Sequence, residues 1–194
     1  MQAASLSAAL TAQGLACRRG DRVLFRGLSL SLESGAALQV RGANGTGKSS
    51  LLRILGGLLR PAAGTVERRG SIGLIDERPA LDEHLALSEA LEFWRALDGP
   101  NTPLTDGLAD LADVPVRYLS TGQRKRAALA RLRAQGAVIW LLDEPLNGLD
   151  TSGAAMLGEA VAAHCGVGGI AVLASHQPLP LAELQTLDLA DFAG

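Results

Sequence analysis

Residues 42–49 read Gly42-Ala43-Asn44-Gly45-Thr46-Gly47-Lys48-Ser49, and this stretch decides the fold. It satisfies the pattern G-x-x-x-x-G-K-[ST] at every fixed position. The glycines allow successive backbone N–H groups to turn into one hollow. Phosphate oxygens fit there, at the positive end of the helix that follows. Lys48 is placed to reach the β- and γ-phosphates of a nucleotide, and Ser49 to offer its hydroxyl to Mg²⁺. A plain Gly-rich turn is the bland alternative, and context argues against it. Ala37 to Arg41 reads as a short strand. Ser49 to Leu59 carries leucines at helical spacing (Leu51, Leu52, Leu55, Leu58, Leu59). Strand, glycine loop and helix are the order a phosphate-cradling loop requires, with Gly42 to Ser50 as the nucleotide-binding run. The chain has sixteen Arg and two Lys. One of those lysines sits in the loop, where a compact ammonium serves better than a planar fork.

Outward from the loop, turn residues separate short strands at Gly14 to Cys17, Arg22 to Phe25 and Leu28 to Leu32. Gly56 and Gly57 weaken the helix after the loop, and Pro61 stops it. Gly64 to Arg69 and Ser71 to Ile75 read as strands. From Ala80 to Ala134 the pattern is helical, with loops near Gly99-Pro100 and Pro115. Ala137 to Leu142 is a short apolar run of the kind buried in parallel sheets. Thr151 to His164 reads as a helix, Gly169 to Ala174 as a strand, and Thr186 to Phe192 as a last edge strand. Strands alternating with helices predict an α/β fold with a mostly parallel sheet and an antiparallel N-terminal part. The expected organisation is a loose tail over residues 1–13 and a single domain over 14–194. A helical subdomain is inserted at about residues 80–135.

Three further motifs carry chemistry. Val138-Ile139-Trp140-Leu141-Leu142-Asp143-Glu144 delivers two acids at the end of an apolar strand, where α/β sheets place their sites. Asp143 is expected to hold Mg²⁺ and Glu144 to orient the attacking water. Leu119-Ser120-Thr121-Gly122-Gln123 has the form of a capping box opening a helix to Arg133. The same helix start, with Gly122 flexible, also suits a phosphate. His176 follows the strand ending at Ala174-Ser175, and its place in the chain puts it near a γ-phosphate. His84 and His164 have no such support and are expected to be solvated helix residues.

Composition excludes several classes. A net charge of −2 with no basic segment gives no footprint for nucleic acid. Cys17 and Cys165 stand alone, without metal-ligand spacing, as in a reducing compartment. No apolar run approaches the roughly 20 residues a spanning helix needs. Any membrane role is therefore expected to act through a partner.

Taken together and in this order, the motifs resemble the nucleotide-binding subunits of ABC transporters over nearly the whole chain. Gly148-Leu149-Asp150 is similar to the D-loop of that family, the phosphate-cradling ATPases built as a two-subunit sandwich. The resemblance implies a homodimer across two ATP molecules. Ser120, Gly122 and Gln123 of one subunit would face the γ-phosphate bound by Lys48 of the other, with Asp150 across the same interface. Glu144, His176 and Lys48 would be catalytic, and Ser49 and Asp143 would hold Mg²⁺. Arg53 to Pro61, Arg126 to Leu132 and Ser175-His176-Gln177-Pro178-Leu179 further resemble the ATPase subunit of the bacterial cytochrome c maturation system, a haem exporter ATPase. That likeness implies a peripheral protein on the cytoplasmic face of the inner membrane. Integral membrane subunits would be its partners, and haem would be met only indirectly. Subunits for another cargo, or a nucleotide-gated assembly protein without transport, share these motifs. Three features depart from the family pattern. Thr121 stands where glycine is usual. Ile75-Asp76-Glu77-Arg78-Pro79 lacks an expected glutamine. An Arg18-Arg19 pair replaces the aromatic that stacks on adenine.

Overall fold

The computed structural model describes residues 7–98 and 108–194. The chain opens with a long antiparallel hairpin, β1 (Ala9–Arg19) and β2 (Arg22–Glu33). β4 (Ala63–Arg69) pairs with the other edge of β1, giving a three-stranded sheet ordered β2-β1-β4. The expected loose tail thus gives way at Ala9, because Ala8, Leu10 and Ala12 are buried and Ala9 to Ala12 pair on both sides. The two strands expected at 22–25 and 28–32 are one. Gly27, at φ 71°, absorbs a register shift without ending the pairing.

The second sheet is five-stranded and parallel throughout. It comprises β3 (Ala37–Arg41), β5 (Ile72–Ile75), β6 (Ile139–Asp143), β7 (Ile170–Ala174) and β8 (Leu184–Asp188), ordered β5-β6-β7-β3-β8. β6 and β7 are buried at every residue, as strands covered on both faces must be. β8 lies at the sheet edge as expected but ends at Asp188. The Asp188 carboxylate accepts from the N–H of Ala190 and turns the chain into a 3-10 turn, Leu189–Phe192.

Helix α1 (Lys48–Leu55) packs Leu51, Leu52, Ile54 and Leu55 between the two sheets, against Leu10, Phe25 and Leu28. It is shorter than the leucine spacing predicts. Gly57, at φ 78°, turns the chain out of the helix, with Leu58 N returning to Arg53 O, and Arg68 on β4 donates to the carbonyls of Ile54 and Leu55. On the opposite face, α3 (Thr121–Ala134) and α4 (Thr151–Gly166) bring Leu129, Leu132, Leu157 and Val161 onto Trp140, Leu142 and Leu173. Helix α2 (Leu87–Asp98) builds a separate small core with Leu87, Leu91, Val116, Leu119 and Ala127. The region expected to be helical therefore holds α2, α3 and two 3-10 turns, while Ala80 to Ala86 is turn and extended chain. The loop expected at Gly99-Pro100 lies outside the described residues.

Candidate nucleotide site

Parallel pairing aligns the C-terminal ends of four strands. Ile75 lies beside Leu142, Asp143 beside Ala174, and Ala174 beside Val40. Whatever follows these strands meets at one edge of the sheet, the place where α/β folds bind ligands. The glycine loop follows β3, Asp143 and Glu144 end β6, His176 follows β7, and Asp76 follows β5.

Gly47 starts α1 at φ 109° with no side-chain cap. By contrast, Ser120 caps α3 and Asp150 caps α4 with side-chain oxygens. The first-turn N–H groups of α1 therefore have no built-in acceptor, which is the condition for an anion site. A Cβ at Gly47 would sit 3.2 Å from Leu24 and Phe25. Glycine is needed there for both the dihedral and the close approach. Thr46 closes the loop from within, its hydroxyl donating to Ala43 O at 2.9 Å.

The acids and cations meet around Glu144. Lys48 Nζ is 3.2 Å from Glu144 Oε1 and donates to Gly42 O at 2.9 Å. His176 Nδ1 is 3.2 Å from Glu144 Oε2. Both oxygens of one carboxylate are thus engaged, one by Lys48 and one by His176. Ser49 Oγ donates to Asp143 Oδ1 at 3.0 Å. Burial pushes the Asp143 carboxyl above its usual range, and the neighbouring charges of Asp76 and Glu144 add to the shift. A hydroxyl and a buried carboxylate beside excess negative charge form a hard-oxygen donor set suited to Mg²⁺.

The structure places the other sequence-selected residues differently. Ser120, Thr121, Gly122 and Asp150 line one cleft with Gly148 and Leu149. Ser120 and Gln123 form the expected reciprocal capping box. The Asp150 carboxylate is taken up by Gly153 N at 2.7 Å. The Thr121 methyl sits over Gly148, where an added Cβ would lie 2.7 Å from it, so the threonine fills space that glycine would leave. Ser50 is buried on the first turn of α1. Arg18 is folded onto its own turn through Gly20 O and Asp21. His84 is exposed but lies in a turn, not a helix. His164 is not a solvated residue. Its ring stacks on Trp140 with centroids 3.8 Å apart, and Nε2 faces the carbonyls of Val138 and Ile170. Burial pushes its pKa down, against the opposing pull of those two carbonyls.

The ABC transporter family profile matches residues 25–147, from Phe25 on β2 to just past the Asp143-Glu144 pair. The chain belongs to the ABC transporter family. ATP is therefore the nucleotide of this ABC chain's glycine loop. It is 61% identical over 184 residues to the cytochrome c biogenesis ATP-binding export protein CcmA of Novosphingobium aromaticivorans, covering 94% of this chain and 96% of that one. The protein of the same name in Sphingopyxis alaskensis is 54% identical, covering 92% and 95%. Its fold matches an ABC transporter ATP-binding protein from Pyrococcus furiosus at TM-score 0.81 and 19% identity, over 96% of this chain and all (100%) of the other. Among the described residues no helix is long and apolar enough to cross a membrane.

Three residues near this ABC site escaped sequence reading. Gln39, fully buried in β3, donates through Nε2 to Gln177 O at 2.6 Å and Ser175 O at 3.3 Å, fixing the segment that carries His176. A polar side chain inside an otherwise apolar parallel strand was the available signal. Arg53 on α1 holds Asp76 through both carboxylate oxygens, at 2.9 and 3.2 Å. Lys125 on α3 donates to the backbone carbonyl of Glu144. For the last two, only the fold brings the partners together.

Proposed function

We propose that this chain is the ATP-hydrolysing subunit of a cytochrome c biogenesis complex. It would couple hydrolysis to haem export or to release of a haem-loaded chaperone. The observation that carries the ATPase part is the Glu144 carboxylate, bridged between Lys48 and His176 at the mouth of the glycine loop. The likeness to the CcmA proteins supports the biological setting.

In the reaction, the loop N–H groups of Gly42 to Ser50 bind the phosphates. Lys48 moves from Glu144 to the β- and γ-phosphates, and the carboxylate it releases is free to orient water for in-line attack. His176 exchanges its contact with Glu144 for the transferring phosphoryl group, stabilising charge as it develops. Ser49 and Asp143 would hold Mg²⁺, which would supply positive charge to offset that of the phosphates. Ser120, Gly122 and Asp150, in their own cleft, with Gln123 capping the same helix start, would complete the site of a second copy in a homodimer across two ATP. Integral membrane subunits on the cytoplasmic face of the inner membrane are the expected partners.

A second reading, nucleotide-gated assembly without transport, is favoured by one observation. Asp76, where a coupling glutamine is expected, is tied to Arg53. The test is turnover of the wild type and Glu144→Gln, together with c-type cytochrome content in cells carrying either form. Loss of both in the variant supports the proposal. Loss of turnover with normal cytochrome content assigns another cargo. Absence of ATP turnover in the wild type itself, in cells of normal cytochrome content, would support the assembly reading.

A further inference from the structure

We infer that Lys125 is a positioning residue for Glu144 and ties the helical insert to the catalytic carboxylate. This rests on the reading of Glu144 as the residue that orients water.

Glu144 has φ 44°, and it is the one non-glycine residue at positive φ among the described residues. A side-chain-bearing residue in that region stores strain, and it stays there only where its surroundings over-determine it. Here the peptide is pinned on both sides. Glu144 N donates to Ala174 O at 2.8 Å, which fixes it to β7. Glu144 O accepts from Lys125 Nζ, and more distantly from Asn147 N at 3.3 Å. The ammonium is thus the charged donor to the strained peptide, and charge-assisted hydrogen bonds are about twice as strong as neutral ones.

Lys125 lies one turn into α3, the helix capped by Ser120. It lines a cleft with Glu77, Arg78 and Arg124 between α3 and the segment after β5. The charges of Glu144, Glu77 and Asp143 face it and oppose the cost of burying the ammonium. In a chain that otherwise uses Arg, a point donor is spent on a single carbonyl, a contact the broader guanidinium fork matches poorly. Without this donor the Glu144 peptide can relax away from positive φ. The side chain then swings off the line between Lys48 and His176. Movement of α3 reaches the carboxylate by the same contact.

The test measures kcat, KM for Mg-ATP, equilibrium binding of a fluorescent ATP analogue, and Tm for the full chain. The variants are Lys125→Met, Lys125→Arg, Glu144→Gln and the double variant Lys125→Met/Glu144→Gln. Lys125→Met should lower kcat by about 10²-fold, the scale of an ångström-level misplacement. KM and analogue affinity should stay within about twofold, and Lys125→Arg should recover part of the loss because it keeps the charge. Added to Glu144→Gln, it should cost nothing further, since both act on one group. An unchanged kcat in Lys125→Met would overturn the inference. So would a kcat loss accompanied by weakened binding and a fall in Tm, or an equal further loss on top of Glu144→Gln. If Glu144→Gln itself keeps wild-type turnover, the reading of Glu144 fails instead, whatever Lys125→Met does.

Discussion

Lys48 and Glu144 form a nearly buried ion pair, Nζ to Oε1 3.2 Å, with side chains 6% and 12% exposed. The cation proposed to bind phosphate is held by the acid proposed to orient water. In the proposed mechanism, nucleotide binding separates the pair and arms both partners in one step. Removing either partner of such a pair strands the other, at a cost of about 3–5 kcal/mol. Lys48→Ala should abolish measurable ATP binding and also lower the Tm of the nucleotide-free chain. Equilibrium binding and thermal melting check the two effects separately.

Glu144→Gln keeps the shape of the site and an oxygen for His176, but not the carboxylate that orients water. Turnover should fall by about 10²–10⁴-fold, the range of a positioned general base. ATP affinity should be kept or increased. With hydrolysis blocked, ATP should drive the chain from monomer to dimer in light scattering, while ADP should not.

Ser49 Oγ and Asp143 Oδ1 lie 3.0 Å apart, as two oxygens directed at one cation would. Chelation of divalent ions should stop hydrolysis, and added Mg²⁺ should restore it. Ser49→Ala removes one of the two protein oxygens. The Mg²⁺ concentration for half-maximal turnover should rise several-fold in a titration at fixed ATP.

His164 gives the fold a pH dependence far from the nucleotide. Its folded pKa is depressed by burial against Trp140. Above the unfolded value, about 6.5, the ring is neutral in both states and the contact contributes fully. As pH falls below that value the unfolded chain takes up the proton first, so stability drops. Tm should decline as pH falls below about 6.5 in the wild type. His164→Phe should flatten that decline while ATP binding at neutral pH stays unchanged.

The parallel sheet and the residues meeting at its edge were readable because they depend on local chemistry. Glycines 42, 45 and 47 fix the loop, and an apolar run ending in Asp143-Glu144 fixes the neighbouring strand. What escaped depends on distant partners. β1 begins at Ala9 because Ala8 and Ala12 bury small side chains against β2 and β4, and β4 lies some fifty residues on. Alanine carries too weak an apolar signal to show this in sequence. α1 ends at the expected Gly56-Gly57, Gly57 at φ 78°, but the donors that Arg68, on β4, adds to the carbonyls of Ile54 and Leu55 could not be read from sequence. His164 looked solvated because its partner Trp140 lies across the sheet face. Gln39, Arg53 and Lys125 act through partners that only the fold supplies.

The two lysines end on the same residue, one at the Glu144 carboxylate and one at its carbonyl. Every side-chain amine in the chain is thus gathered at the catalytic edge of the sheet. For reagents that acylate amines, the rest of the protein surface is nearly silent, because its positive charge is carried by guanidinium. Chemical labelling followed by mass spectrometry thereby reads the state of the nucleotide site directly, without an engineered probe.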